Sequence, residues 1–222
     1  MGRLDKFRSS PVPALRQSPP ALPTRTAGGG SSTAERIAGI RGARFAIALD
    51  ATASMGGLIE MAKGALSEII SRVFKEAGRK IEVQLLVYRD YDMGAQLVEM
   101  GPIASDPEPL IKWLAKIVVN GGAGNGGEAV EAGFERLLSA PVFDAVLIAG
   151  DEPSHSRTGL NNLGRRDAPT ARDLARQLRE RGGPVHAFVV GDDPRTVRDF
   201  EAVSAAGGGH CGRLDGSAAM ID

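Results

Sequence analysis

Short apolar runs alternating with longer helical stretches constrain this chain more than any other feature. Phe45–Leu49, Ala145–Ala149 and Val185–Val190 are almost unbroken apolar segments, the pattern of strands buried on both faces. Between them apolar residues recur at helical spacing. Leu58, Met61, Ala62, Ala65, Ile69 and Val73 mark one face, and Val130, Phe134, Leu137 and Leu138 another. The alternation predicts an α/β fold, a doubly wound, mainly parallel sheet with helices on both faces. One pair departs from it. Ile81–Tyr88 and Gln96–Ile103 read as strands joined by only Arg89–Ala95. A parallel crossover needs a dozen or more residues, so this pair is expected to be an antiparallel hairpin that adds one antiparallel edge strand. Asp106-Pro107-Glu108 starts a helix carrying Leu110, Leu114, Ile117 and Val118, while Pro169 and Pro194 open two more. Residues 209–214 are expected to form the last strand. Trp113 and the apolar helix stripes are read as core, and no internal repeat is present.

Residues 1–40 are read as a Pro/Ser/Gly/Arg-rich tail or linker, because that composition buries too little apolar surface to offset the entropy of ordering. The folded domain is assigned to residues 41–222. Residues 1–42 hold seven Lys/Arg and two Asp/Glu, which leaves the remainder with a net charge of −5. An acidic body argues against nucleic-acid binding. No run approaches the roughly 18 apolar residues that span a bilayer, so no membrane partner is expected. The first residues show no uninterrupted apolar segment of the secretory type. With a single cysteine, Cys211, no intrachain disulfide can form. A cytoplasmic location fits these features.

The first strand ends in Asp50-Ala51-Thr52-Ala53-Ser54-Met55. Three oxygen-bearing side chains two residues apart, at the junction of a buried strand and a helix, suit a hard divalent cation. Such residues also serve as helix N-caps, so the triplet by itself is compatible with a cap. Asp151 follows the strand Ala145–Ala149, and Asp90 follows Ile81–Tyr88. In open α/β sheets ligands sit beyond the carboxyl ends of strands, where these residues fall. Asp90 is expected to be a hairpin or peripheral residue rather than a ligand. His155 follows the Asp151 loop. Ser154 stands beside it, but neighbouring side chains in an extended loop diverge, so no nucleophile–base pair is expected. His186 is read as structural, and His210 with Cys211 makes no zinc site. Gly121–Gly127 lacks the Gly-Lys-Ser/Thr of a phosphate loop.

Four ordered segments carry a resemblance: Asp50-Ala-Thr-Ala-Ser-Met, Tyr88-Arg-Asp-Tyr, Gly124-Asn-Gly-Gly-Glu-Ala-Val and Gly150-Asp-Glu-Pro-Ser-His. Together they resemble the von Willebrand factor A domain, in its intracellular, bacterial-type branch, over residues 41–222. The resemblance implies a metal-ion-dependent adhesion site (MIDAS) with Asp50, Thr52, Ser54 and Asp151 as metal residues. Thr52 and Ser54 would ligate directly, and Asp50 and Asp151 directly or through water. Mg2+ is the expected ion, with Mn2+ or Ca2+ as substitutes. Asn125 stands where the branch commonly has an acidic residue, and the loop contains no Thr. Asn125 and Asp90 are therefore weaker or outlying members, and Met55, Glu152 and His155 are expected to line the site. The implied function is non-catalytic binding of a partner protein through an acidic residue, the partner being a component of an AAA-type ATPase system. The family's C-terminal helix is not expected in a chain ending at Asp222. The alternative from a different class is a metal-dependent hydrolase or phosphoryl-transfer enzyme using Asp50.

Overall fold

The computed structural model describes residues 42–77, 81–122, 124 and 126–214. Six strands, β1 (Arg44–Asp50), β2 (Glu82–Tyr88), β3 (Val98–Ala104), β4 (Ala145–Gly150), β5 (Val185–Val189) and β6 (Gly208–Arg213), form one sheet in the order β3-β2-β1-β4-β5-β6. All neighbouring pairs are parallel except β2–β3, the expected antiparallel hairpin. The helices are α1 (Ile59–Ala77), α2 (Pro107–Leu114), α3 (Val130–Leu138), α4 (Arg157–Asn162), α5 (Ala171–Arg181) and α6 (Pro194–Ala206). No helix among the described residues is long and apolar enough to cross a membrane. The tail assigned to residues 1–40 lies outside the described residues.

Burial on both faces explains the unbroken apolar strands. In β1, Ala46 and Ala48 point into a core with Tyr88, Val130, Phe134, Leu174, Ile148 and Phe200. Ile47 and Leu49 point into a second core with Ile59, Leu66, Ile70, Leu110 and Leu114. Thus α3, α5 and α6 cover one face of the sheet, and α1 and α2 the other. Successive residues of a strand face opposite ways, so a strand covered on both sides has no polar phase.

Several boundaries differ from the sequence expectation for local reasons. β3 begins at Val98 because Tyr91–Gln96 form a tight 3-10 turn capped by Asp90, whose carboxylate accepts from the Tyr91 amide. α5 begins at Ala171, two residues after Pro169, because Thr170 is its N-cap and forms a reciprocal capping box with Asp173. α2 stops at Leu114, and Val118, expected on its buried face, is 70% exposed. The chain there turns back along the β1 loop: the Asn120 amide donates to the Ala51 carbonyl at 2.9 Å, and the Ala53 amide to the Gly121 carbonyl at 3.0 Å. These long-range bonds override the helical spacing that placed Val118 inward.

The chain leaves β1 toward β2 on one side and returns to β4 on the other. The carboxyl ends of β1 and β4 therefore border the sheet's switch point, where open α/β folds bind ligands.

Candidate metal centre

The four residues expected to hold a metal come together at that switch point in one hydrogen-bonded string. Asp50 Oδ1 accepts from the Thr52 amide at 2.8 Å and from Thr52 Oγ1 at 2.7 Å. Thr52 Oγ1 lies 3.0 Å from Ser54 Oγ, which donates to Asp151 Oδ1 at 3.0 Å. Thr52 occupies the N-cap position of the 3-10 turn Ala53–Gly57 but makes no capping bond with its side chain, so the helix-cap alternative fails for it. Each hydroxyl has one proton and two possible acceptors, the neighbouring carboxylate and the other hydroxyl, so with both carboxylates ionised one of the string's three side-chain contacts has no proton of its own.

The string runs from the interior outward. Asp50 and Thr52 are fully buried, while Asp151 is half-buried and Ser54 exposed. Asp50 Oδ2 is buried with no hydrogen-bond partner among the described residues. Burial pushes the Asp50 carboxyl up to about 7, against the two Thr52 hydrogen bonds, with Asp151 and Glu152 adding repulsion. Asp151 is also raised, chiefly by burial, with the Ser54 bond opposing. Gly150 is required beside them: a Cβ there would lie 2.5 Å from the Tyr88 hydroxyl and 3.1 Å from Asp50 Oδ2. Among the described residues no three His, Cys, Asp or Glu side chains group closely enough to hold a metal by themselves. The donor set is instead two carboxylates and two hydroxyls, an all-oxygen set suited to a hard cation.

No protein-family model matches the sequence, and no curated protein is significantly similar to it. Solved structures do match. The conserved hypothetical protein BatB from Bacteroides thetaiotaomicron aligns with a TM-score of 0.54 at 19% identity, over 79% of this chain and 92% of that one. Proximal thread matrix protein 1 from the mussel byssus, solved with zinc occupying its MIDAS motif, aligns at 0.56 and 12% identity over 81% of this chain and 43% of that one. The SpRpn10 VWA domain aligns at 0.54 and 12% identity, over 79% and 89%. The chain thus spans nearly all of the first and third of these, and less than half of the mussel protein. It has the von Willebrand factor A fold.

Within this von Willebrand factor A fold the remaining expected residues take different places. Met55 does not line the site: it is fully buried in the core beneath α1. Glu152 is half-buried and close enough to raise both Asp50 and Glu128 electrostatically. Asn125 lies outside the described residues. Asp90 caps the hairpin turn, as expected, and has a second contact. Its side chain is buried and lies 2.8 Å from His155 Nε2, whose side chain is buried too. His155 therefore faces Asp90 and packs against the Tyr91 ring, rather than presenting itself to a ligand. The Tyr91 hydroxyl donates to Glu131 at 3.3 Å, and the Arg165 guanidinium sits 4.2 Å over the Tyr91 ring. Ser154 turns the other way, donating both amide and hydroxyl to Asp199 at 2.8 and 2.7 Å.

These contacts clamp the Asp151 loop. Thr196, buried at the start of α6, donates to the Asp151 carbonyl at 2.7 Å. Ser154 ties the loop to α6, and His155 ties it to the end of β2. The Glu128 amide donates to the Pro153 carbonyl at 2.9 Å. Sequence reasoning missed Glu128, which is 5% exposed with Oε2 lacking a hydrogen-bond partner among the described residues. Burial pushes its carboxyl up to about 9, and Asp50 adds the largest repulsion among the neighbouring charges. Two positions before α3, Glu128 reads as an ordinary acid at a helix N-terminus. The available signal was its place at the close of the glycine-rich segment.

Proposed function

We propose that this domain is a non-catalytic, Mg2+-dependent protein-binding module that docks a partner's carboxylate. The observation that carries the reading is the string Asp50–Thr52–Ser54–Asp151 at the switch point, with a buried Asp50 oxygen at its inner end that has no hydrogen-bond partner among the described residues. A buried carboxylate oxygen without a partner is unfavourable by itself and becomes favourable opposite a cation. The all-oxygen donor set, two carboxylates and two hydroxyls, suits Mg2+, with Mn2+ or Ca2+ as substitutes.

Asp50, Thr52, Ser54 and Asp151 would hold the ion. When bound, it supplies positive charge and Lewis acidity toward an oxygen ligand from outside. Thr52 and Ser54 contribute neutral oxygens, so the set carries few negative charges and leaves the ion receptive to one more carboxylate. The clamps from Thr196, Ser154 and His155 fix where Asp151 stands. An acidic residue on a partner protein fits this chemistry, and the family resemblance rather than the site points to a component of an AAA-type ATPase system as that partner. Ser154 and His155 diverge to Asp199 and Asp90, which supports binding over hydrolysis.

Calorimetric titration tests the reading. Mg2+ or Mn2+ is expected to bind with one-to-one stoichiometry, and an acidic peptide to bind only the metal-loaded domain, with loss on adding EDTA. No heat of metal binding would defeat it. Turnover of a phosphate ester that vanishes in Asp50→Ala would instead establish the hydrolase alternative.

A further inference from the structure

We infer that Glu128 is a further acidic residue of the metal centre, accepting from the ion's water rather than ligating the ion itself. This rests on the metal-binding reading above. Three observations converge on Glu128. Its side chain is 5% exposed and its Oε2 has no hydrogen-bond partner among the described residues, as is also true of Asp50 Oδ2 and Glu131 Oε2. Its Oε1 and Thr52 pack against the same glycine: a Cβ on Gly122 would meet Glu128 Oε1 at 3.2 Å and Thr52 Cβ at 3.4 Å. Gly122 has a φ of +89°, so glycine is favoured there by backbone and by space alike. The Glu128 backbone is anchored on the metal loop itself through the Pro153 carbonyl and a parallel bridge to Ser154.

The alternatives are weaker. An acid placed only for the α3 helix dipole would stand in solvent. One placed for an ion pair would face a cation, whereas every charge that acts on Glu128 among the leading influences is acidic. A buried acid facing other acids needs a proton or a cation between them. Direct ligation is disfavoured because no three acidic or imidazole side chains converge to metal-holding distance among the described residues. Mg2+ dehydrates reluctantly and keeps several waters, which gives a carboxylate just beyond ligand reach a natural donor to accept from. Glu128 then supplies from the start of α3 a negative charge that the amide of Asn125 does not carry.

Titration of Mn2+ into the wild-type domain, Glu128→Gln, Glu128→Asp and Glu131→Gln tests this. Outer carboxylates of metal sites typically contribute about 10–100-fold in affinity. Glu128→Gln, nearly identical in shape, should weaken Mn2+ binding by about that factor while its metal-free melting temperature stays the same or rises. Glu128→Asp, which withdraws the charge by one methylene, should also lose affinity. Glu131→Gln, three residues on and also carrying an orphaned buried oxygen, should bind as wild type. Unchanged affinity in both Glu128 variants would overturn the inference alone. So would an equal loss in Glu131→Gln, which would mean diffuse charge. A wild-type domain that binds no Mn2+ would overturn this inference together with the metal-centre reading.

Discussion

Two polar clusters lie at the same end of the same sheet and differ in how they are closed. Around Asp90 the carboxylate itself is engaged: His155 bonds it, Tyr91 stacks on the imidazole, and Arg165 covers Tyr91, although Glu131 Oε2 and Arg165 Nε nearby have no hydrogen-bond partner among the described residues. Around Asp50, equally deep in the protein, one oxygen is satisfied by Thr52 and the other has no hydrogen-bond partner in bonding geometry among the described residues. Burial is the same in both, so burial does not separate structure from function here. Closure does. A closed pair contributes to holding loops together, and an open one reserves its bonding capacity for something that arrives from outside.

The largest effects should divide along that line. Asp50→Ala and Asp151→Ala are each expected to abolish Mg2+ and Mn2+ binding by calorimetry while leaving a folded domain by circular dichroism. Binding that survives both would erase the distinction. His155→Ala should do the reverse. It removes a partner from buried Asp90 and leaves a cavity, a loss of about 3 kcal/mol, or on the order of 10 °C in Tm for a domain of this size. A wild-type Tm would mean that the Asp90–His155 contact contributes nothing to stability.

A third test uses pH. Asp50 is raised to about 7 and Glu128 to about 9, whereas both ionise near about pH 4 in an unfolded chain. Above that pH the unfolded state gives up protons that the folded state keeps. Metal-free stability should therefore fall as pH rises from about 4 toward 9, and level off beyond. A cation must displace those protons, so its affinity should rise over the same interval. The gap between metal-loaded and metal-free Tm should widen with pH, and a constant gap would mean that the open carboxylates do not face the ion. The smallest effect is expected for Ser154→Ala, which loses one hydrogen bond to Asp199, about 1 kcal/mol in chemical denaturation.

The architecture was legible because its signal is periodic. Unbroken apolar runs at β1, β4 and β5 and the short link after β2 are direct records of two-sided burial and antiparallel pairing. The string of Asp50, Thr52, Ser54 and Asp151 was legible because strand ends place residues predictably. Val118 was misplaced because backbone bonds to the β1 loop, formed across a long stretch of chain, outweigh helical spacing. Met55 sits beside the ligand motif in sequence, yet its side chain takes the core-facing phase. Glu128 and the Asp90–His155 pair were missed for a shared reason. What they do depends on which loops meet, and no local spacing encodes that.

Tyr88-Arg89-Asp90 has a consequence of its own. Tyr88 reaches the Ala149 carbonyl on β4, and Arg89 reaches the carbonyls of Gln96 and Val118 and the Glu99 carboxylate. Asp90 then holds His155. Three adjacent residues thus tie together β4, the β3 hairpin, the segment that backs the Asp50 loop, and the loop that carries Asp151. Amide hydrogens in those segments should exchange with solvent as one cooperative unit rather than loop by loop, and loading the centre with metal should slow them all together.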